Sequence, residues 1–231
     1  MSEPRVIVII PAAGSGSRFG GDVPKQFRTI GGKPILQHVV ERFLFDERVE
    51  RVIVPVHEML LSTITPAPGE KIQFVAGGAT RQESVTRGLE AAGDVEGVIA
   101  VHDAVRPFFS YEVFHAVIDA AREFGAAFPA LPLADTIHVV DDNQIVGTPD
   151  RSTLVAAQTP QCFRVDVLRD VLSRACDDAT DEAGLAAKYG YVVKAVSGDS
   201  LNFKITRPED LVMAERIYAE WGADDSNRSG H

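Results

Sequence analysis

The sequence predicts a three-layer α/β domain built on a mostly parallel, twisted sheet, and three observations carry that reading. Val6 to Ile10 is an unbroken run of β-branched residues, which suits a strand buried on both faces. Pro11 cannot continue a central ladder, so this strand delivers its carboxyl end into the glycine-rich loop Ala12-Ala13-Gly14-Ser15-Gly16. Downstream, short apolar strands alternate with helical patterns, as in a sheet covered by helices on both faces.

Each later element has its own signal. Pro34 to Phe45 places Ile35, Val39, Val40 and Phe43 at helical spacing, with Pro34 tolerated in the first turn. Arg51 to Val56 reads as the second strand, and Ile72 to Val75 as a third that runs into Gly77-Gly78. Thr80 to Ala92 reads as a helix opened by a Thr80/Glu83 capping box. Gly97 to Val101 is the next strand, and Ser110 caps a helix reaching Gly125. Phe128 to Leu133 is a further strand. Thr136 to Gly147 then alternates loosely about Asp141-Asp142-Asn143, which predicts a hairpin arm at about 136–150. An isolated hairpin is marginal in water, so a second subunit is its expected support, and the chain is expected to be a homodimer through this arm. Thr180 is expected to cap a helix from Asp181 to Tyr189. Thr206 and Glu209 read as another capping box, with Pro208 in the first turn.

Composition narrows the function. The 231 residues contain no linker, repeat or low-complexity run, so one domain is expected over residues 1–222, with a loose polar tail from Ala223 to His231. A net charge of −10 argues against a nucleic-acid binder, which needs a basic surface. Cys162 and Cys176 lack metal-type spacing and suit a reducing compartment. The amino terminus has no signal-peptide pattern and no apolar run approaches a membrane span, so a cytoplasmic protein without a membrane partner is expected.

The chemistry collects at predicted strand ends, where open α/β sheets bind ligands. Small residues at 12, 13, 14 and 16 leave the backbone N–H groups accessible, and Arg18 and Lys25 add positive charge to the same rim. Together they describe a cradle for a polyphosphate. It is not a Walker A loop, because Lys25 follows Pro24 and precedes Gln26. It is a poor dinucleotide fingerprint, because Phe19 stands where the third glycine belongs. Gly77 and Gly78 would let a flat base approach the backbone, with Arg81 and Ser84 on the following helical turn. His102-Asp103-Ala104-Val105-Arg106-Pro107 crowds an acid, a histidine and an arginine at one strand end. Asp103 suits Mg²⁺, a hard cation that takes carboxylate and phosphate oxygens. His102 reads as a structural hydrogen-bonder. Arg106 suits either a phosphate or a neighbouring acid.

These motifs, with Pro24-Lys25-Gln26, Ala157-Gln158-Thr159-Pro160-Gln161, Thr180-Asp181-Glu182-Ala183 and Asn202 to Leu211, resemble in order those of the 2-C-methyl-D-erythritol 4-phosphate cytidylyltransferases. The match runs from Pro11 to about Leu211, with Val105 where that family usually has alanine. The resemblance implies a Rossmann-like nucleotidyltransferase fold and transfer of a cytidylyl group from CTP to 2-C-methyl-D-erythritol 4-phosphate, in the non-mevalonate isoprenoid pathway. It implies that Ala12, Ala13, Gly14, Gly16, Arg18 and Lys25 hold the triphosphate, and that Gly77, Gly78, Ser84 and Ala104 hold the cytidine. It further implies that Asp103 orients Mg²⁺ and that Arg18, Lys25 and Lys204 act on the reacting phosphate. Asp103, Arg106, Thr136, Arg151, Thr159 and Thr180 would hold the second substrate, some from a partner subunit. Alternatives are a cytidylyltransferase for another polyol phosphate, such as ribitol 5-phosphate, and a CTP-sensing domain without turnover. The chain has no length for a fused cyclodiphosphate synthase, so a monofunctional enzyme is expected.

Overall fold

The computed structural model describes residues 5–14, 23–61, 71–175 and 179–228, with side chains described as far as residue 220. Gly16, Arg18 and Cys176 lie outside those ranges. Strand β1 (Val6–Ile9) sits at the centre of an eight-stranded sheet. It runs parallel to strands Val49–Val56 and Val98–Val101 on its two sides, and strand Ile72–Ala76 extends the parallel half. In chain order these are β4, β6 and β5, since a short hairpin, β2 (Thr29–Ile30) with β3 (Lys33–Pro34), precedes them. Beyond β6 the sheet becomes mixed. Strand β11 (Gln161–Arg164) lies antiparallel between β6 and β7 (Ala126–Pro132). Strand β10 (Val155–Ala157) pairs antiparallel with the far end of β7, and β12 (Val193–Ser197) follows β7 in parallel.

Alternation along β1 divides the core into two layers. Val6, Val8 and Ile10 pack with α1 (Ile35–Leu44) and α4 (Tyr111–Phe124) on one face. Ile7 and Ile9 face α3 (Arg81–Ala92), α5 (Val165–Arg174) and α6 (Glu182–Lys188) on the other. Every residue of β1 is buried, as its uninterrupted apolar run requires. A third, smaller cluster joins Ile30, Ile35, Val105, Phe108 and Ile205 to Ala214 of α7 (Pro208–Arg228). Val105, the departure from the family's usual alanine, fills space in this cluster as well as reaching the cleft described below.

The caps refine the sequence reading. Thr80 caps α3 by accepting from the Glu83 N–H, while the Glu83 carboxylate reaches back to Ala79. Ser110 caps α4 in the same way. Asp181, not Thr180, caps α6, accepting from the Gly184 N–H at 2.9 Å. Thr180 is exposed one residue too early to reach that turn. Asp210, not Glu209, closes the box at α7: with Pro208 first in the helix, position 210 is where a carboxylate reaches the Arg207 and Thr206 N–H groups. The helix continues to Arg228, into the stretch expected as a loose tail, because no proline or glycine interrupts residues 223–228. Lys204 precedes Ile205 in a loop. Short helix α2 (Glu58–Leu61), the β2–β3 hairpin, α5 and β12 have no counterpart in the sequence reading.

The arm is present as β8 (Val139–Asp141) and β9 (Gln144–Gly147). Asp142 and Asn143 turn it with φ of 44° and 60°, the left-handed values that a two-residue hairpin demands. Val139, Val140, Ile145 and Val146 are each more than half exposed, so nothing in the described chain covers the arm's apolar side chains.

The large aromatic Phe43 ties the first layer together, stacked on Phe109 at 4.3 Å and edge-on to Phe114 and His102. Phe43→Ala therefore leaves a cavity beneath a strand end and is expected to cost about 3 to 5 kcal/mol, read by chemical denaturation. A loss under about 1 kcal/mol would mean that this layer collapses around the deletion.

Candidate active site

The cleft opens over the carboxyl ends of β1, β5 and β6. It encloses about 320 Å³ and brings together Ala12, Ala13, Gly14, Lys25, Gly78, Ser84, Asp103, Ala104 and Lys204. Those are nine of the residues singled out by the sequence. Gly77 adjoins them: a Cβ there would run into the Ala13 side chain, so glycine is what lets the loops after β1 and β5 close on each other. A Cβ on Gly14 would meet nothing within 4 Å among the described residues.

Gln26 is a member of the site that the sequence reading quotes but gives no role. Its side chain is buried, and its amide donates to the carbonyls of Ala12 and Gly14 at 2.8 Å each. Peptide planarity then sends the Ala13 N–H the opposite way, so Gln26 sets the orientation of the cradle's backbone. Lys25 begins the 3₁₀ turn Lys25–Phe27, which holds it next to this anchor. Ser84 is nearly closed off: its hydroxyl accepts from the Gly78 N–H and donates to the Thr80 carbonyl, both at 3.0 Å.

Asp103 lies at the centre. Its Oδ2 is 3.0 Å from Lys204 Nζ and 3.1 Å from Arg106 Nε, and its Oδ1 is 3.6 Å from Arg81 Nε. Burial alone would raise its pKa, but the charges of Lys204, Arg81 and Arg106 outweigh that and hold the carboxyl below the usual range. Arg81 is in turn gripped by buried Glu182, with both carboxylate oxygens within 2.7 Å of Nη1. Burial works against that guanidinium's charge, and Glu182 and Asp103 more than restore it. Arg106 also donates to the Asn202 carbonyl at 2.7 Å. Of its two possible roles, the observed pairing is with an acid.

Under Asp103 runs a chain of neutral hydrogen bonds. The Asp103 N–H donates to Thr159 Oγ1 at 3.0 Å, the Thr159 hydroxyl lies 3.2 Å from His102 Nδ1, and His102 Nε2 lies 3.0 Å from the Arg106 carbonyl. This order fixes the His102 tautomer with its proton on Nε2. Burial pushes its pKa down to about 3, despite the bond to Arg106, so the ring is neutral. The expectation of a structural histidine is met. Thr159, expected against the second substrate, is instead buried beneath the strand end with its hydroxyl engaged on both sides. Asn202 supports the same floor by donating to the Thr159 carbonyl at 2.7 Å, while its own buried Oδ1 has no hydrogen-bond partner among the described residues.

The remaining expected residues stand apart from this cleft. Arg151, at the foot of the arm, donates to the Ala134 carbonyl at 2.7 Å, and Thr136 and Thr180 are exposed. None of the three lines the cleft, and neither does Arg106. Arg18 and Gly16 fall outside the described residues.

Residues 6–220 match the family model of 2-C-methyl-D-erythritol 4-phosphate cytidylyltransferase. A protein of that name from Frankia casuarinae is 41% identical over 231 residues, covering 99% of this chain and 87% of the relative. One from Haemophilus influenzae strain PittGG is 43% identical over 219 residues, 91% of this chain and 95% of the relative. Among solved structures, a 2-C-methyl-D-erythritol 4-phosphate cytidylyltransferase from Thermus thermophilus superposes with a TM-score of 0.76 at 36% identity. The superposition covers 93% of this chain and 98% of that one.

The buried floor generates a pH prediction. The folded His102 stays neutral down to about pH 3, whereas the unfolded chain's histidine takes up a proton below about 6.5. The unfolded state thus binds more protons between those values, and stability falls as pH drops through that window by up to about 1.4 kcal/mol per pH unit from this group. His102→Gln should flatten the stability profile between pH 6 and 4 relative to wild type. Parallel profiles would show that the ring protonates in the folded protein.

Proposed function

The chain belongs to the 2-C-methyl-D-erythritol 4-phosphate cytidylyltransferase family, and from that premise we propose how its cleft performs the reaction. The enzyme transfers a cytidylyl group from CTP to 2-C-methyl-D-erythritol 4-phosphate, giving 4-diphosphocytidyl-2-C-methyl-D-erythritol and pyrophosphate. A phosphate oxygen of the second substrate forms a bond to the α-phosphorus of CTP. The bond from that phosphorus to the oxygen bridging to the β-phosphate breaks, and pyrophosphate carries away the electron pair. The nucleophile is already ionised at neutral pH, so no side chain has to be activated, and the protein's contribution is positioning and charge stabilisation.

The observation that carries this reading is the convergence of Lys25, Lys204 and Asp103 on one cleft over the strand ends. The cradle from Ala12 to Gly14, with Arg18, Gly16 and Lys25, holds the triphosphate. Lys25 and Lys204 face the charge that builds on the reacting phosphate. Gly77, Gly78, Ser84 and Ala104 receive the cytidine. Arg106, already bound to Asp103 and Asn202, holds the carboxylate in place.

Asp103 is also the residue that would hold Mg²⁺. A single carboxylate fits the way this ion is usually bound, by one or two carboxylates with substrate phosphates and water completing the shell. The ion would supply charge neutralisation at the phosphates. Thr136, Arg151 and Thr180 serve the second substrate from the arm and its surroundings. The uncovered apolar side chains of the arm support a homodimer in which that contribution crosses to the partner's site. Among the described residues no helix is long and apolar enough to cross a membrane, which suits a cytoplasmic enzyme.

Pyrophosphate release from CTP with a panel of polyol phosphates is the direct test, and turnover should be confined to 2-C-methyl-D-erythritol 4-phosphate. Lys25→Ala and Lys204→Ala should each lower kcat roughly 10²- to 10³-fold with the fold intact. Wild-type turnover in both variants would remove the lysines from the mechanism.

A mixed dimer tests the arm. If Arg151 serves the partner's site while Lys25 serves its own, a dimer of one Arg151→Ala chain and one Lys25→Ala chain has one site with both defects and one with neither. Co-expression with different tags should therefore recover about half of wild-type activity from two impaired parents. No recovery in a demonstrably mixed dimer would place both residues in the same chain's site.

A further inference from the structure

Lys25 and Lys204 come from opposite ends of the chain, yet the chemistry requires a fixed separation between them. We propose that Gly31 and Tyr218 form a clasp, remote from the cleft, that sets this separation, so that both are positioning residues for the cytidylyl transfer. The inference rests on the role given above to the lysines.

The path from Lys25 to Gly31 is short and stiff. The Arg28 N–H closes the 3₁₀ turn on the Lys25 carbonyl at 3.1 Å, and the Arg28 carbonyl accepts from the Ile35 N–H at 2.9 Å. Between them stands the β2–β3 hairpin, whose Ile30 is fully buried in the third cluster and whose tip is Gly31 at φ +57°. The path from Lys204 to Tyr218 is equally constrained. The Ile205 N–H donates to the Val105 carbonyl at 3.0 Å, and Asp210 ties the Thr206 and Arg207 N–H groups into the first turn of α7.

The two paths meet at the hairpin tip. The Gly31 N–H donates to the Glu215 carboxylate at 3.0 and 3.2 Å. The tip lies so close to Tyr218 that a Cβ on Gly31 would run into the ring. The ring also meets His38 edge-on at 5.0 Å, and His38 Nε2 lies 2.8 Å from the Ile30 carbonyl. Ile30, Ile205, Val105 and Ala214 pack together beneath this junction, so the hairpin, the Lys204 loop and the strand end carrying Asp103 share one small core. Neither Gly31 nor Tyr218 lines the cleft. Their contact bears on both lysines because hydrogen-bonded turns link it to Lys25, while helix α7 with its tied first turn links it to the Lys204 loop. A shift of about 1 Å in such a support is enough to cost up to about 100-fold in rate.

The test is a double-mutant cycle on kcat for pyrophosphate release. Gly31→Ala should lower kcat about 10- to 100-fold in the wild-type background. In the Lys25→Ala background it should cause little further loss, because the group it positions is gone. Equal proportional losses in the two backgrounds would overturn the proposal and leave Gly31 a residue of general stability. Should Gly31→Ala fail to melt cooperatively, Tyr218→Ala replaces it, since that change removes the ring without adding strain, and the same non-additivity is expected. Wild-type kcat in a folded Tyr218→Ala enzyme would also overturn it. If instead Lys25→Ala itself retains full turnover, the lysine assignment fails first.

Discussion

The site depends on one constraint, that a carboxylate taken out of water must be surrounded by compensating charge. Asp103 is nearly buried, and its compensation comes from Arg81 at the start of α3, Arg106 on its own strand end and Lys204 before α7. Removing one partner of such a group leaves uncompensated charge, which is costly in a way that an exposed pair is not. The carboxylate therefore gathers two distant segments, the start of α3 and the loop before α7, onto the end of β6. The positive charge so collected stands where anionic substrates must be met.

The floor beneath this cluster is neutral by construction. His102 is kept uncharged by burial and held in one tautomer by Thr159 and the Arg106 carbonyl. An ionised imidazole there would add a fourth positive charge at the back of Asp103 and disturb the balance that the cations set. The backbone under the carboxylate is thus fixed without altering its field. For a reaction whose nucleophile arrives ionised, fixing positions and fields is most of what an enzyme can contribute.

Much of this was legible in the sequence, for identifiable reasons. The β-branched run of β1 and the glycines after it leave few alternatives, and strand-end residues such as Asp103 and Ala104 follow from the rule that ligands meet these sheets at carboxyl ends. Gln26 escaped because a buried amide that organises a loop looks, in sequence, like any glutamine after a lysine. That the Thr159 hydroxyl turns inward was not legible, because a motif fixes which residues occur together but not which of them faces the core. The helix α5 carries Val165, Leu168 and Val171 at helical spacing and was open to periodicity. The short pairing of β2 with β3 was not, since two-residue strands leave no period to read. The cap positions at Asp181 and Asp210 slipped by one residue from Thr180 and Glu209, which is the margin within which helix ends are read.

The dependence of Asp103 on Lys204 has a consequence for synthesis. Strands β1, β4, β5 and β6 and the strand end carrying Asp103 all lie in the first half of the chain, ahead of the covering helices α5 and α6. The carboxylate still lacks one of its cations when that half has been made, because Lys204 and the helix that anchors its loop are translated near the end. A nascent chain therefore carries Asp103 well before it carries the lysine that compensates it. A chain ended shortly before Lys204 would carry every strand of the described sheet and still leave Asp103 short of one of its compensating charges.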